Sequence, residues 1–280
     1  MKSTFSSAFL RCLATTCVLA AALPATAATQ VLYDSALAPN LSYTPITPGW
    51  LSSVFVNAQQ SVGPDGTTVS PNVSAPFDLG ARGGYANQFA LGGLVNPAFP
   101  NLDRNAGFTL TVGFRLLQED HSLNANRAGF SLTLLDNQHR GVEIGFQNDR
   151  IFAQRDGANL FTAGESNAAD AASAFAFNRW DLNVGPAGYS LTRADLTGAS
   201  PVLSGALRDY SSVGFPANLA YGASNFVFVG DNTTSAGAVF TLSYLAVTAA
   251  PVPEASSYAM LLAGFALVAA VAHRRRRMPG

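Results

Sequence analysis

Short segments in which apolar side chains alternate with small or polar ones recur from residue 105 to residue 247, and this two-residue period dictates strands with one buried face. Residues 105–114 (NAGFTLTVGF) carry it, residues 127–134 (RAGFSLTL) repeat it, and residues 141–146 (GVEIGF) resume it beyond a turn at Asp136, Asn137 and Gln138. A second turn at Asn148 and Asp149 leads to residues 151–154, and further strands are expected at 179–184, 189–193, 226–230 and 238–247. Long helical periodicity is absent, and residues 168–176 are the one stretch suited to a short helix. Short strands separated by turn residues, in a chain with 25 glycines, predict an all-β sandwich or jelly roll rather than a βαβ fold. Between Pro39 and Pro100, prolines and glycines break the alternation, so an irregular N-terminal part is expected there.

The N-terminus reads as a secretory signal peptide over residues 1–27. Lys2 and Arg11 make a positive region, residues 13–23 an apolar one, and Ala25-Thr26-Ala27 a small-x-small site for signal peptidase. Lipidation at Cys17 fits poorly, because Thr16 is bulky for the preceding position and the apolar run continues past it. Both cysteines, Cys12 and Cys17, lie in this removed segment, so the mature body has no thiol and no disulfide. Packing must hold it together, and residues 28–250 are enough for one domain with a large core and no repeat of fixed period.

At the other end, residues 258–272 (YAMLLAGFALVAAVA) form an uncharged apolar run, shorter than the roughly 20 residues that span a bilayer unaided. Arg274, Arg275, Arg276 and Arg277 follow, and their guanidinium groups would snorkel into cytoplasmic headgroups, fixing the C-terminus inside and everything before it outside. A packed core helix fits badly, since the run has no polar face. Ahead of it stand Val252, Pro253 and Glu254, then Ala255. This order of box, apolar helix and basic cluster resembles the PEP-CTERM sorting tail of Gram-negative bacteria, although Ala255 replaces the second proline of the commonest box. The resemblance covers residues 251–280. It implies that an exosortase in the inner membrane recognises the box, cleaves near it, and passes the body toward the cell surface. A mature protein without a membrane helix would result. The alternative is an ordinary C-terminal anchor that is never cleaved.

Between the two ends, residues 28–250 carry ten arginines, no lysine and sixteen acids, a net charge of −6. So acidic a body argues against nucleic acid or an anionic membrane as partner, because both require clustered positive charge.

The body also resembles the choice-of-anchor exported domains, Y type. The matching segments are Leu102-Asp103-Arg104 with residues 107–110, residues 127–131, residues 141–146, Arg208-Asp209-Tyr210, and Phe228-Val229-Gly230-Asp231. The resemblance implies a concanavalin A-like jelly roll and supplies no activity.

Glycoside hydrolysis requires two carboxylates roughly 5 Å to 9.5 Å apart, and Glu143 stands alone between Val142 and Ile144. Its strand would offer Glu143, Gly145 and Gln147 on one face, with Arg127, Ser131, Thr133, Phe152 and Gln154 from neighbouring strands beside them. Arg127, Glu143, Gln147 and Gln154 would then line a groove able to hydrogen-bond sugar hydroxyls, with Phe152, Trp50 or Trp180 for stacking. The plainer reading is a solvated sheet face with an Arg127–Glu143 cross-strand pair. His121 and His139 are the body's histidines, and no Gly-x-Ser-x-Gly elbow or HExxH helix accompanies them. Neither histidine is a credible metal ligand. Gly80, Gly83 and Gly84, like Gly92 and Gly93, read as loop or bulge glycines rather than a phosphate cradle. No metal ligand set and no cofactor are called. Calcium is weighed on residues 119–126 and 231–234, which are rich in oxygen donors but lack EF-hand spacing.

These observations lead to an exported, noncatalytic protein, sorted by an exosortase to the cell surface or the extracellular polysaccharide, with a structural or glycan-binding role. The rival is a polysaccharide-processing enzyme using Glu143 and a second acid from a distant strand or loop.

Overall fold

The computed structural model describes residues 27–38, 40, 42–71, 79–89, 92–155, 162–196, 198, 200–212, 221–249 and 264–265. The expected signal peptide, the sorting box, the arginine cluster and nearly all of the expected membrane helix lie outside them. Among the described residues no helix is long and apolar enough to cross a membrane.

The body, Ala28–Ala249, is an all-β sandwich of two antiparallel sheets. Strands are numbered β1 to β16 in chain order. The first sheet runs β13 (Leu203–Gly205), β12 (Gly188–Arg193), β11 (Asn178–Gly185), β6 (Phe108–Asp120), β16 (Gly237–Ala249), β4 (Gly66–Pro71), β3 (Ala58–Gly63), with β1 (Ala28–Asp34) also on β16. The second runs β10 (Ala163–Asn167), β9 (Ile151–Gln154), β8 (Arg140–Phe146), β7 (Ser131–Leu135), β15 (Phe226–Asp231), β5 (Arg82–Ala86), β2 (Ser52–Val56), with β14 (Arg208–Asp209) also on β8.

The alternation read from the sequence is the alternation of the core. On β6, Leu110, Val112, Phe114 and Leu116 point between the sheets, where Leu132 and Leu134 of β7 and Val142, Ile144 and Phe146 of β8 meet them. Aromatic rings join the layers. Phe114 and Phe130 lie 4.2 Å apart between centroids, Phe130 and Phe240 4.7 Å, and Phe146 and Trp180 5.3 Å. With every one of these side chains buried, packing alone supplies the cohesion that the cysteine-free body requires.

The structure extends the sequence reading and in places departs from it: β1, β10, β13 and β14 form where no strand was expected. Within residues 39–100, expected to be irregular, β2, β3, β4 and β5 form and lie at the far edges of both sheets, while described residues 42–51 and 92–100 are turns and non-strand chain. Gly83 and Gly84 belong to β5 rather than to a loop, and a Cβ on Gly84 would sit 2.5 Å from the Val229 carbonyl oxygen. The short helix is a 3₁₀ turn at Ala171–Phe175. Residues 127–130 precede β7 as non-strand chain, although the Phe146 amide still donates to the Phe130 carbonyl at 3.0 Å.

The two sheets differ on their outer faces. On β11 buried and partly exposed residues alternate, as expected of a sheet with one face in water. All residues of β7, β9 and β15 are buried, so the second sheet is covered on both sides. Its outer cover includes Tyr210, Tyr221 and Ala223, packed on Ala86, Leu135, Phe226 and Phe228. The outer residues of the second sheet include Ser131 and Thr133 of β7, Glu143 of β8 and Gln154 of β9, which carry the same hydropathy signal whether they face solvent or a polar network.

Candidate functional site

The face singled out by the sequence exists, and it is closed. Cross-strand register sets Thr133 opposite Glu143, Ser131 opposite Gly145, and Gly145 opposite Phe152. Arg127, Glu143, Gln147 and Gln154 are 3%, 1%, 0% and 1% exposed, so the expected open groove, and equally the solvated face, is instead a buried polar layer.

Glu143 is its centre. Its Oε1 lies 3.4 Å from Arg127 Nη2 and accepts a hydrogen bond from Asn232 Nδ2 at 3.2 Å. Its Oε2 accepts the hydroxyl of Tyr221. Arg127 Nη2 also donates to Asn232 Oδ1 at 2.6 Å, which closes a ring of three side chains around the carboxylate. Burial pulls the Arg127 guanidinium down, but the charge of Glu143 and the fields of Tyr221 and Asp231 outweigh it and hold the group above its ordinary value. Burial, reinforced by the adjacent Glu143 charge, pushes the Tyr221 hydroxyl far up, so it stays a donor. Tyr210 stacks on Tyr221 at 5.1 Å and completes the lining.

Gln147 and Gln154 fasten the preceding loop to the sheet. Gln147 Nε2 donates to the Ala125 and Arg127 carbonyls at 2.9 Å and 2.6 Å, Arg150 Nε donates to Gln147 Oε1 at 2.7 Å, and Gln154 Nε2 donates to the Asn126 carbonyl at 3.1 Å. Both Gln147 amide atoms and the Gln154 Nε2 are therefore committed to the chain itself, while Gln154 Oε1 is buried without a hydrogen-bond partner among the described residues. The aromatics expected to stack on sugars are committed too: Phe152 and Trp180 are fully buried, and Trp50 packs partly buried against the core.

Two further acids are buried nearby in the fold. Burial raises Asp231 well above the usual carboxylate range, its Oδ1 accepting the Thr233 amide at 3.0 Å. Burial also raises Glu119, whose Oε2 meets His121 Nδ1 at 2.9 Å and the Asn148 amide at 3.0 Å. Both belong to the segments weighed for calcium; Asp231 Oδ1 is spent within its own segment, and Glu119 Oε2 is shared between His121 and the Asn148 turn. Among the described residues no group of three or more His, Cys, Asp or Glu side chains is placed to hold a metal ion. His139 contacts the Gly222 carbonyl at 3.1 Å through Nε2.

The arrangement gives Glu143 no solvent-open approach for a glycosidic bond. What it does instead is couple four distant parts of the chain through one carboxylate. Tyr221, Tyr210 and Asn232 were not read from the sequence as members of this site. Asn232 alone carried a signal, as one of the oxygen donors at 231–234.

Residues 251–277 match the PEP-CTERM protein-sorting motif. The tail thus carries the signal for exosortase-dependent export, with a membrane-anchored C-terminus before processing. No curated protein matches the chain. Among solved structures the chain is similar to a carbohydrate esterase from the Shiga toxin-encoding bacteriophage phi24B, at 11% identity and a TM-score of 0.47 over 79% of this chain and 99% of that one. An arabinofuranosidase complexed with arabinofuranosyl-α-1,2-xylobiose matches at 12% identity and a TM-score of 0.32, over 59% of this chain and 35% of the other. A Trypanosoma rangeli sialidase matches at 15% identity and a TM-score of 0.36, over 71% of this chain and 27% of the sialidase.

Proposed function

We propose that this protein is exported through a signal peptide at residues 1–27 and cut by an exosortase within the tail at 251–280. Its 28–250 body then works on the cell surface or in the extracellular polysaccharide, as a noncatalytic structural or glycan-binding module. The sorting motif at residues 251–277 is the observation that carries this reading. The buried Arg127–Glu143–Tyr221–Asn232 network speaks against Glu143 as the acid of the rival, polysaccharide-processing reading, because a general acid or nucleophile must reach its substrate.

The test replaces Val252, Pro253 and Glu254 together by alanine in a host that has an exosortase. The wild-type chain should leave the inner membrane shortened, while the triple variant should accumulate there at full length. Equal release of both chains would overturn the reading.

A further inference from the structure

On the outer face of the first sheet three residues stand side by side across β11, β6 and β16: Arg179 pairs with Gly113, and Gly113 with Tyr244. The glycine leaves a gap in this row. A Cβ on Gly113 would come within 2.9 Å of both Ser243 Oγ and Tyr244 Cβ. A register shift between Leu242 and Tyr244 bulges β16 at this point, and Ser243 Oγ fastens the bulge to the Gly113 carbonyl at 3.0 Å. Across the gap the Arg179 guanidinium lies over the Tyr244 ring, 3.9 Å from its centroid. One strand turn away Arg115 lies 4.3 Å over the ring of Phe177, with Asp65 3.9 Å from its Nη2.

Beside these stacks is a shallow, solvent-open hollow of about 270 Å³ lined by Asp65, Phe177, Asn178, Arg179 and Ser243. Its walls differ in chemistry. Phe177 is 39% exposed, and with Arg115 over its ring it offers a part-exposed aromatic surface at the edge of the hollow. Asp65 offers an exposed carboxylate balanced by Arg115. Arg179 is exposed, and among the described residues its guanidinium makes no ion pair or hydrogen bond. Stacking on Tyr244 fixes the plane of the guanidinium while leaving its fork of donors open. Such a fork matches the two oxygens of a carboxylate.

We infer that this hollow binds a sugar residue bearing a carboxylate, as found in an acidic polysaccharide, with the carboxylate on the Arg179 fork and the ring against Phe177. Asp65, offset by Arg115, accepts sugar hydroxyls. Along the same face Thr111 donates to Asp181 at 2.6 Å and Thr109 to Asn183 at 2.8 Å, continuing a polar track for a polymer. With a body charge of −6, binding of an anionic glycan must come from this local site and not from the overall field. This inference deepens the glycan-binding half of the proposed function and rests on it.

The test is titration calorimetry of the full-length chain in detergent with oligogalacturonate, and with a neutral glucan oligomer of equal length. Oligogalacturonate should bind, Arg179→Gln and Phe177→Ala should each weaken it at least tenfold, and Arg179→Lys should fall between. Arg140→Gln, on the other sheet, should leave binding unchanged. Circular dichroism should show each variant folded, with Arg179→Gln changing the thermal midpoint little and Phe177→Ala lowering it modestly through the lost Arg115 contact. Uronate binding untouched by Arg179→Gln would overturn the site, as would neutral glucan binding that ignores Arg179, though either leaves a glycan-binding body standing. Failure of the wild type to bind both probes would overturn the site and the glycan-binding reading together.

Discussion

Arg127 Nη2 stands 3.4 Å from Glu143 Oε1 with the two side chains only 4% and 2% exposed, a buried ion pair joining the loop before β7 to the middle of β8. Removing one partner leaves an uncompensated charge out of water. Arg127→Met is therefore expected to cost about 3–5 kcal/mol in urea denaturation, and Arg127→Met with Glu143→Leu to recover much of that loss. A single variant no worse than the double would mean that the pair is not what stabilises this layer.

Asp231 gives stability a definite pH dependence. Burial raises its folded-state affinity for a proton, so between the ordinary Asp value of about 3.9 and its raised value the folded chain holds a proton that the unfolded chain releases. Its contribution to stability accordingly falls as pH rises through that window. Asp231→Asn keeps the acceptor for the Thr233 amide and removes the titration. The variant should gain stability relative to the wild type from pH 4 to pH 7 by denaturant unfolding, and a difference independent of pH would contradict this.

Gly113 is required by its neighbours. Gly113→Val should cost about 1–3 kcal/mol, because the added carbons enter space held by Ser243 and Tyr244. It should also change the near-UV circular dichroism of the tyrosines as the Arg179–Tyr244 stack is displaced. An unchanged spectrum with unchanged stability would show that the strand has room to spare.

The aromatic core should respond differently from the surface of the same strand. Phe114 lies 4.2 Å from Phe130 and 5.0 Å from Phe146, so Phe114→Ala should cost about 3–5 kcal/mol. Leu117, three positions on and 47% exposed, should change stability by no more than about 0.5 kcal/mol when replaced by alanine. Similar losses at both positions would contradict the assigned orientation of β6.

Legibility followed burial asymmetry. β8, β9, β11, β12, β15 and β16 were anticipated within a few residues, and β6 in its first half, because their inward leucines, valines and phenylalanines alternate with small or polar residues. β2 through β5 were missed because Ser52–Val56 and Arg82–Ala86 carry serines and glycines where a hydrophobic beat was sought. Gly83 and Gly84 sit in β5 for contact reasons that only the neighbouring Phe55, Ala58, Val229 and Phe228 reveal. The polar face at Glu143 was located correctly and its solvent exposure was not. A serine, threonine or glutamate pointing off a sheet reads the same under water as under Tyr221, which reaches Glu143 from 78 residues away. The Arg179–Gly113–Tyr244 row escaped for a related reason: its members lie on three strands, and cross-strand register is not a local property of sequence.

The central claim is that the tail is a signal to be removed, and intact mass measures it most directly. The protein should be recovered from envelope and culture supernatant of a host with its exosortase and of the same host without it. The account predicts a surface or supernatant form that begins after Ala27, ends near residues 252–255 and appears only with the exosortase. A full-length C-terminus retained in the inner membrane in both hosts would contradict it and leave an ordinary anchored sandwich.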